Sequence, residues 1–275
     1  MAMNNITLTS GMRQNLFSLQ KTASAMETTQ NRLATGKKVS SALDDPIAFF
    51  AAQGHTQRSS DLAIRKDEMS EGIQTIKAAD NGISAALDLI ASAKSLAQSA
   101  LANQSTTERG NLTAQYNDLI SQIATVAQDS NYKGTNLLDA SQSLTITFDE
   151  SGDSTITVAG VTGTGGATSA SGDWGNATLG TGTDAINTSI AQLDGARDAL
   201  RISSTALSNK LSTITIRQDF TDNMINTLED GAANLTNADL NEEGANLLML
   251  QTRQQLGTTS LSLASQAAQS VLRLF

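Results

Sequence analysis

Three clusters in the chain have side chains that could do chemistry. Asp44-Asp45 is a carboxylate pair of the sort that shares acid and base work. The run Asp149-Glu150-Ser151-Gly152-Asp153 and the pair Glu242-Glu243 could each attract a cation. None of the three makes a site. Asp45 stands directly before Pro46, which is how a helix N-cap and a first helical residue are placed. The acidic run lacks the twelve-residue ligand spacing and closing Glu of an EF-hand, and fits a solvated hairpin turn. His55 is the one histidine and there is no cysteine, so neither a His/Cys metal set nor a nucleophile with a base beside it can be assembled. Gly163-Thr164-Gly165-Gly166 has no following Lys and is not a phosphate loop. The expectation is a protein without metal or cofactor that is not an enzyme.

What repeats in this chain is packing. Met12, Leu16, Leu19, Ala23, Met26, Gln30 and Leu33 alternate at four- and three-residue steps. Leu250, Gln254, Gly257, Leu261, Ala264, Ala268, Val271 and Phe275 do the same at the other end. That rhythm is the seam of a helix lying along other helices. Charge follows the same division. No Asp or Glu precedes Glu27 or follows Glu243, and those ends carry only Arg13, Lys21, Arg253 and Arg273. The whole chain is at -9, so all of the acidity lies between them. A helix short of charge on every face is built to be covered on every face. The facing residues are too small or too polar to hold two helices together alone, so the ends are expected to order as copies assemble.

Composition excludes several other classes. Aromatics are 3% and the apolar residues run in narrow stripes, which favours long helices over one wide globular core. A pI near 4.6 disfavours nucleic acid, because phosphate binding needs clustered Lys and Arg. No run is apolar enough to insert in a membrane, and the first twenty residues lack the basic and apolar regions of a cleavable signal.

Between the ends the elements follow from local signals. LATGKKVSSALDDP reads as an extended connector. From Pro46 to about Asn103 the seam continues through Leu62, Met69, Ile73, Ile76, Ile83, Leu87 and Ile90, with Lys66, Asp80 and Lys94 interrupting it. Such a helix would be roughly 85 Å long at about 1.5 Å per residue. Gly54, Gly72 and Gly82 weaken it by about 1 kcal/mol each, so packing must support it. Ser105-Thr106-Thr107-Glu108 fits a capping box and restarts a helix to about Gln128. Leu144, Ile146 and Phe148, then Ile156 and Val158, change the period to two and predict a β-hairpin, placed as a cap on the far tip. Residues 160–183 read as an exposed, tolerant loop around Trp174. The seam resumes from Ile186 to Leu235, interrupted by Arg197, Ser204, Gln218 and Thr221, and Thr236, Asn237 and Asp239 break it.

The predicted fold is mainly α: an elongated antiparallel, coiled-coil-like helical rod with a small β-hairpin, the two terminal helices paired at one end. The expected division is 1–45 with 237–275, 46–140 with 184–236, and 141–183.

Over nearly its whole length the chain resembles the bacterial flagellins, in a short alphaproteobacterial form. Asn31-Arg32-Leu33-Ala34-Thr35-Gly36 through Asp45-Pro46 is similar to the family's signature at the joint between its terminal and rod regions. Tyr132-Lys133-Gly134-Thr135-Asn136-Leu137-Leu138 resembles its turn before the first hairpin, and Gln266 to Phe275 resembles its C-terminus. The resemblance implies a filament subunit for swimming that polymerises with itself. It also implies export through the flagellum's own channel with no cleavable signal, and addition at the tip under a cap protein. Hook–filament junction proteins, the export apparatus and a chaperone would be its other partners. The terminal helices would line the tube. Where many flagellins present two arginines and a glutamate to an innate immune receptor, this chain has Ser92, Lys94 and Ser95 beside Leu96, which implies weak recognition. Two alternatives remain at this stage: a hook–filament junction protein, and a secreted helical effector or adhesin.

Overall fold

The computed structural model describes residues 10–170, 174 and 181–272. Five helices and one hairpin follow in order: α1 (Ser10–Thr35), α2 (Pro46–Ala102), α3 (Thr106–Asp129), β1 (Ser143–Thr147), β2 (Thr155–Ala159), α4 (Thr181–Thr236) and α5 (Leu240–Leu272). The fold is thus mainly α with one two-stranded antiparallel sheet. The chain divides into two compact units, one of residues 1–57 and 227–275, the other of 58–226.

The 58–226 unit holds the larger core. α2 lays Met69, Ile76, Ile83 and Ile90 into it, and α4 answers with Ile186, Leu193, Leu200, Leu207 and Ile214. The polar interruptions of both seams meet one another. Lys66 Nζ reaches Asp222 and Lys94 Nζ reaches Asp194, each at 2.6 Å. Ser204 Oγ donates to Asp80 at 2.7 Å, and Gln218 Nε2 to Ser70 Oγ at 2.8 Å. Partner numbers fall on α4 as they rise on α2, so these pairs fix an antiparallel register.

A second buried stripe runs along α2 in steps of seven: Gly72, Ala79, Ala86, Ala93 and Ala100. Its small side chains let other elements come close. A Cβ on Gly72 would collide with the Ile146 side chain of β1. Glycine here is therefore a contact, not only the weakness its helix propensity suggests.

The hairpin pairs Leu144 with Val158 and Ile146 with Ile156. Ile146 and Val158 turn inward, while Thr145 and Thr157 face solvent. It does not cap the far tip. Ile146 lies against Gly72, and Arg58 Nε meets Glu150 at 2.6 Å, so the hairpin runs beside the early part of α2. What closes the α2–α3 turn is Arg109, a buried guanidinium whose Nε donates to Ala100 O at 3.0 Å and Asn103 O at 2.6 Å. It satisfies carbonyls that the end of α2 leaves open. Only half of the expected capping box forms. Ser105 Oγ accepts from Glu108 N, but the Glu108 carboxylate bonds Asn103, and Ser105 N turns to Asn103 Oδ1.

Trp174 departs from the loop expectation. It is fully buried, with its ring 4.7 Å from that of Tyr116. Burial of this aromatic pair holds Trp174 against α3, and Ala170 N donates to Asn117 Oδ1 at 2.8 Å.

Candidate self-assembly surface

In the 1–57 and 227–275 unit the two terminal helices run antiparallel. Asn15 Nδ2 donates to Ser260 Oγ at 3.3 Å near one end of the pair, and Arg32 Nη1 meets Glu243 Oε1 at 2.9 Å near the other. Between them Leu19 packs onto Gly257, where an added Cβ would lie 2.6 Å from Leu19 Cδ2. Glu243 is buried despite its charge, so Arg32 is its necessary partner.

The expected connector is pinned, not extended. Gly36 takes φ +69, the left-handed conformation that ends a helix, and its amide returns to Arg32 O at 2.8 Å. Gly36 O accepts from Ala238 N at 2.9 Å, Lys38 N donates to Thr236 O at 2.8 Å, and Lys37 bridges Asn237. Asn31 O accepts from Thr35 Oγ1 at 2.8 Å. Asp45 caps α2 by accepting from Ile47 N and Ala48 N, both at 3.0 Å, with Pro46 at the first helical position. Asp44 Oδ2 accepts from Ser40 N at 3.0 Å and Ser41 N at 2.9 Å, and those amides hold its carboxyl below the usual range. Both carboxylates that could have done acid–base work are tying a loop.

The covered side of α1 is Met12, Asn15, Leu19, Thr22, Met26, Thr29 and Leu33. Four of the expected residues lie there, but Leu16, Ala23 and Gln30 are turned outward, with Leu16 42% exposed. On α5 the covered residues include Leu250, Gln254, Gly257, Leu261 and Ala264, as the spacing predicts, with Glu243, Asn246 and Leu247 nearer its start. Phe275 lies outside the described residues, as do the side chains of Ala268 and Val271. One stripe was missed: Met249, Leu256 and Leu263, seven residues apart and exposed, with Leu248 beside the first. Running the seven-residue count again one position before each seam residue finds it. On α1, Phe17 is also exposed, with Lys21 Nζ 4.7 Å from its ring centroid.

The pair is thus covered on one side and apolar on the other. Two helices that carry so little charge and leave this stripe in water have a surface for further helices.

A sequence model described as the bacterial flagellin N-terminal helical region matches residues 4–143, just over half of the chain. The chain belongs to the flagellin family. It is 31% identical to flagellin FljK and 30% to flagellin FljO of Caulobacter vibrioides, each over the full length of both proteins. A flagellin of Brucella melitensis is 27% identical over 94% of this chain and 95% of its own. Among solved structures, a Bacillus cereus flagellin aligns with TM-score 0.45 and 16% identity, covering 56% of this chain and 88% of that one. As an alphaproteobacterial-type flagellin, the protein is a structural subunit of the bacterial flagellar filament. It polymerises with itself and belongs outside the cell. No helix among the described residues is long and apolar enough to cross a membrane.

The stretch at Ser92 to Leu96 sits on α2 facing α3. Ser92, Ser95 and Leu96, with Gln115, Asp118 and Leu119, line an open groove of about 490 Å³. Lys94 points elsewhere, into its ion pair with Asp194.

Proposed function

We propose that residues 1–45 with 237–275 form the inner tube of the filament, 46–140 with 184–236 the rod layer around it, and 141–183 its outermost portion. Met12, Leu16, Leu19, Met26, Leu33, Leu250, Leu261, Ala264, Ala268, Val271 and Phe275 carry the assembly contacts. The observation behind this reading is the exposed row of Met249, Leu256 and Leu263 on a helix without acidic residues beyond Glu243. Two helices paired through Asn15, Thr22, Gln254 and Gly257 bury too little apolar area to offset their own ordering. Neighbouring copies supply the rest, and circular dichroism should record a gain of helix on polymerisation.

Asn31, Leu33, Gly36, Asp45 and Pro46 form the joint that holds the tube-forming ends in register. The protein performs no catalysis; its carboxylate pair at Asp44-Asp45 is engaged by backbone amides, and among the described residues His55 joins no cluster of acidic groups. Export through the flagellum's own channel with the N-terminus kept, aided by a chaperone, belongs to the same reading. So does addition beneath a cap protein above hook–filament junction proteins. The segment Ser92, Lys94, Ser95 and Leu96 is a poor ligand for the immune receptor, because Lys94 is held by Asp194 and serines flank it. Receptor signalling equal to that of a flagellin with the two arginines and glutamate would contradict this.

Seeded growth watched by electron microscopy tests the main reading. The full chain should extend seeds into indefinitely long tubes, and a chain lacking 251–275 should not. Short, self-limiting assemblies from the full chain would instead indicate a junction protein. A stable monomer that binds cells after that truncation would indicate an effector or adhesin.

A further inference from the structure

Of the seven methionines in the chain, Met1 and Met3 lie outside the described residues. The other five differ sharply in cover. Met69 is fully buried in the 58–226 unit, Met12, Met26 and Met224 are half-covered, and Met249 alone is exposed, at 47%. Its position is as telling as its exposure. Met249 opens the row that Leu256 and Leu263 continue at seven-residue steps on α5, with exposed Leu248 beside it. The chain has no cysteine, so a thioether is the softest nucleophile it offers to an oxidant.

The thioether sulfur attacks an oxygen of a hydroperoxide. An S–O bond forms as the O–O bond breaks, sulfur is oxidised by two electrons, and the peroxide is reduced to water or an alcohol. A flexible apolar side chain thereby becomes a polar sulfoxide with an acceptor oxygen. In the free subunit water solvates that oxygen, and an exposed side chain has little packing to lose. Under a neighbouring copy the same oxygen would be desolvated beside Leu248 and Leu256, where an acceptor without a donor is costly.

We infer that Met249 is a peroxide-sensitive modification site that decides whether a free subunit can join a filament. Oxidised to the sulfoxide, the subunit is excluded; once assembled, its thioether is shielded by the copies that cover it. Peroxide thus stops growth and spares what is already built. This rests on the filament reading and adds a point of chemical control to it.

Free full-length subunits and seeded filaments receive the same dose of dilute hydrogen peroxide, and peptide mass spectrometry follows the gain of one oxygen at each methionine. In the free subunit Met249 should oxidise faster than Met12, Met26, Met69 and Met224, and in filaments several-fold more slowly than in the free subunit. Oxidised subunits should extend seeds only at about tenfold higher concentration, equivalent to about 1.4 kcal/mol, with an unchanged monomer melting curve. The methionine sulfoxide reductases, one for each sulfoxide epimer, should restore growth. Met249→Leu keeps an apolar side chain of similar volume and should grow equally well before and after peroxide, which separates this residue from the other methionines. Met249→Gln, polar and of similar length, should reproduce the defect without oxidant. Equal oxidation of Met249 in subunits and filaments, oxidised subunits or Met249→Gln growing at the wild-type concentration, or loss of growth in peroxide-treated Met249→Leu each overturns the inference and leaves the filament reading standing. If untreated wild-type subunits do not extend the same seeds, the filament reading falls and takes this site with it.

Discussion

The two compact units solve the same problem, a helix along a helix, with opposite results. In the 58–226 unit each buried face of α2 finds a partner within the chain. Met69, Ile76, Ile83 and Ile90 meet α4, and the glycine and alanine stripe receives the hairpin and α3. In the other unit the described residues of α1 and α5 bury few apolar side chains; Leu250 is one, while Leu16, Phe17, Met249, Leu256 and Leu263 remain in water. One region is stable because it is finished. The other is useful because it is not. A filament subunit needs both: a body that holds its shape alone, and ends whose folding is completed only by neighbours.

The sharpest way to break this contrast is to charge the outward stripe. Leu256→Glu places a carboxylate on a face that has no acidic residue after Glu243. In the filament reading that charge would be buried unpaired, at a cost of several kcal/mol. Seeded growth should be abolished, with no change in the melting of the free subunit. Growth at an undiminished rate would mean the stripe faces water in the assembly too.

The converse substitution belongs in the finished unit. Ile83→Ala removes a fully buried side chain from the α2–α4 core and should cost about 2–5 kcal/mol. Chemical denaturation of the free subunit should show it as a lower midpoint. The matching truncation Leu19→Ala, at a half-covered position on Gly257, should move that midpoint little and raise the critical concentration for assembly instead. If the two variants had equal effects on the free subunit, the division between finished and unfinished units would be wrong.

How far the chain could be read without coordinates varied with how local each cause was. Pro46 after Asp45 and Ser105 before Glu108 mark helix starts, and Thr236, Asn237 and Asp239 a helix break, by chemistry within a few residues, and those boundaries appear in the structure. The alternation around Leu144–Phe148 gave the hairpin for the same reason. Its place beside early α2 did not follow, because Gly72 and Ile146 are far apart in sequence and a glycine carries no apolar signal. Trp174 looked like part of a polar loop until Tyr116 supplied its partner. On α1 the apolar spacing favours Leu16 and Ala23, yet Asn15, Thr22 and Thr29 are the residues covered, because polar partners outweigh periodicity there. Asn15 bonds Ser260 and Arg32 bonds Glu243, and both partners lie on the other terminal helix. The polar breaks at Lys66, Asp80 and Lys94 looked like faults in a seam; paired with α4, they are its register marks.

A smaller effect sharpens the comparison at the joint. Arg32→Ala leaves Glu243 buried without its cation, at a cost on the order of 1–2 kcal/mol, discounted because the Arg32 side chain is 40% exposed. Amide exchange should quicken in the first turns of α5 and the last turn of α1, and stay unchanged in α3. Arg32→Lys should recover part of the protection. Exchange that quickened equally in α3 would mean the joint supports the whole chain and not its own unit alone.

The smallest effect separates register from cohesion inside the finished unit. Lys94, with help from Arg197, holds the Asp194 carboxyl below its ordinary value of 3.8. A carboxyl lowered by folding stabilises the fold above its ordinary value, and that stabilisation is lost as pH falls through the lowered one. Asp194→Asn should therefore weaken the wild-type fold slightly at neutral pH, by less than about 1 kcal/mol since the pair is partly exposed. The denaturation curves of the two proteins should draw together as pH falls through the lowered value and separate again above the ordinary one. The aliphatic contacts of Leu193 and Leu200 on either side do not titrate, so they should set the midpoint that remains in acid for both. A gap between the two proteins that stayed constant down to the lowest pH would assign the loss to packing around residue 194. The ion pair would then be incidental, and the α2–α4 register would rest on the apolar seam alone.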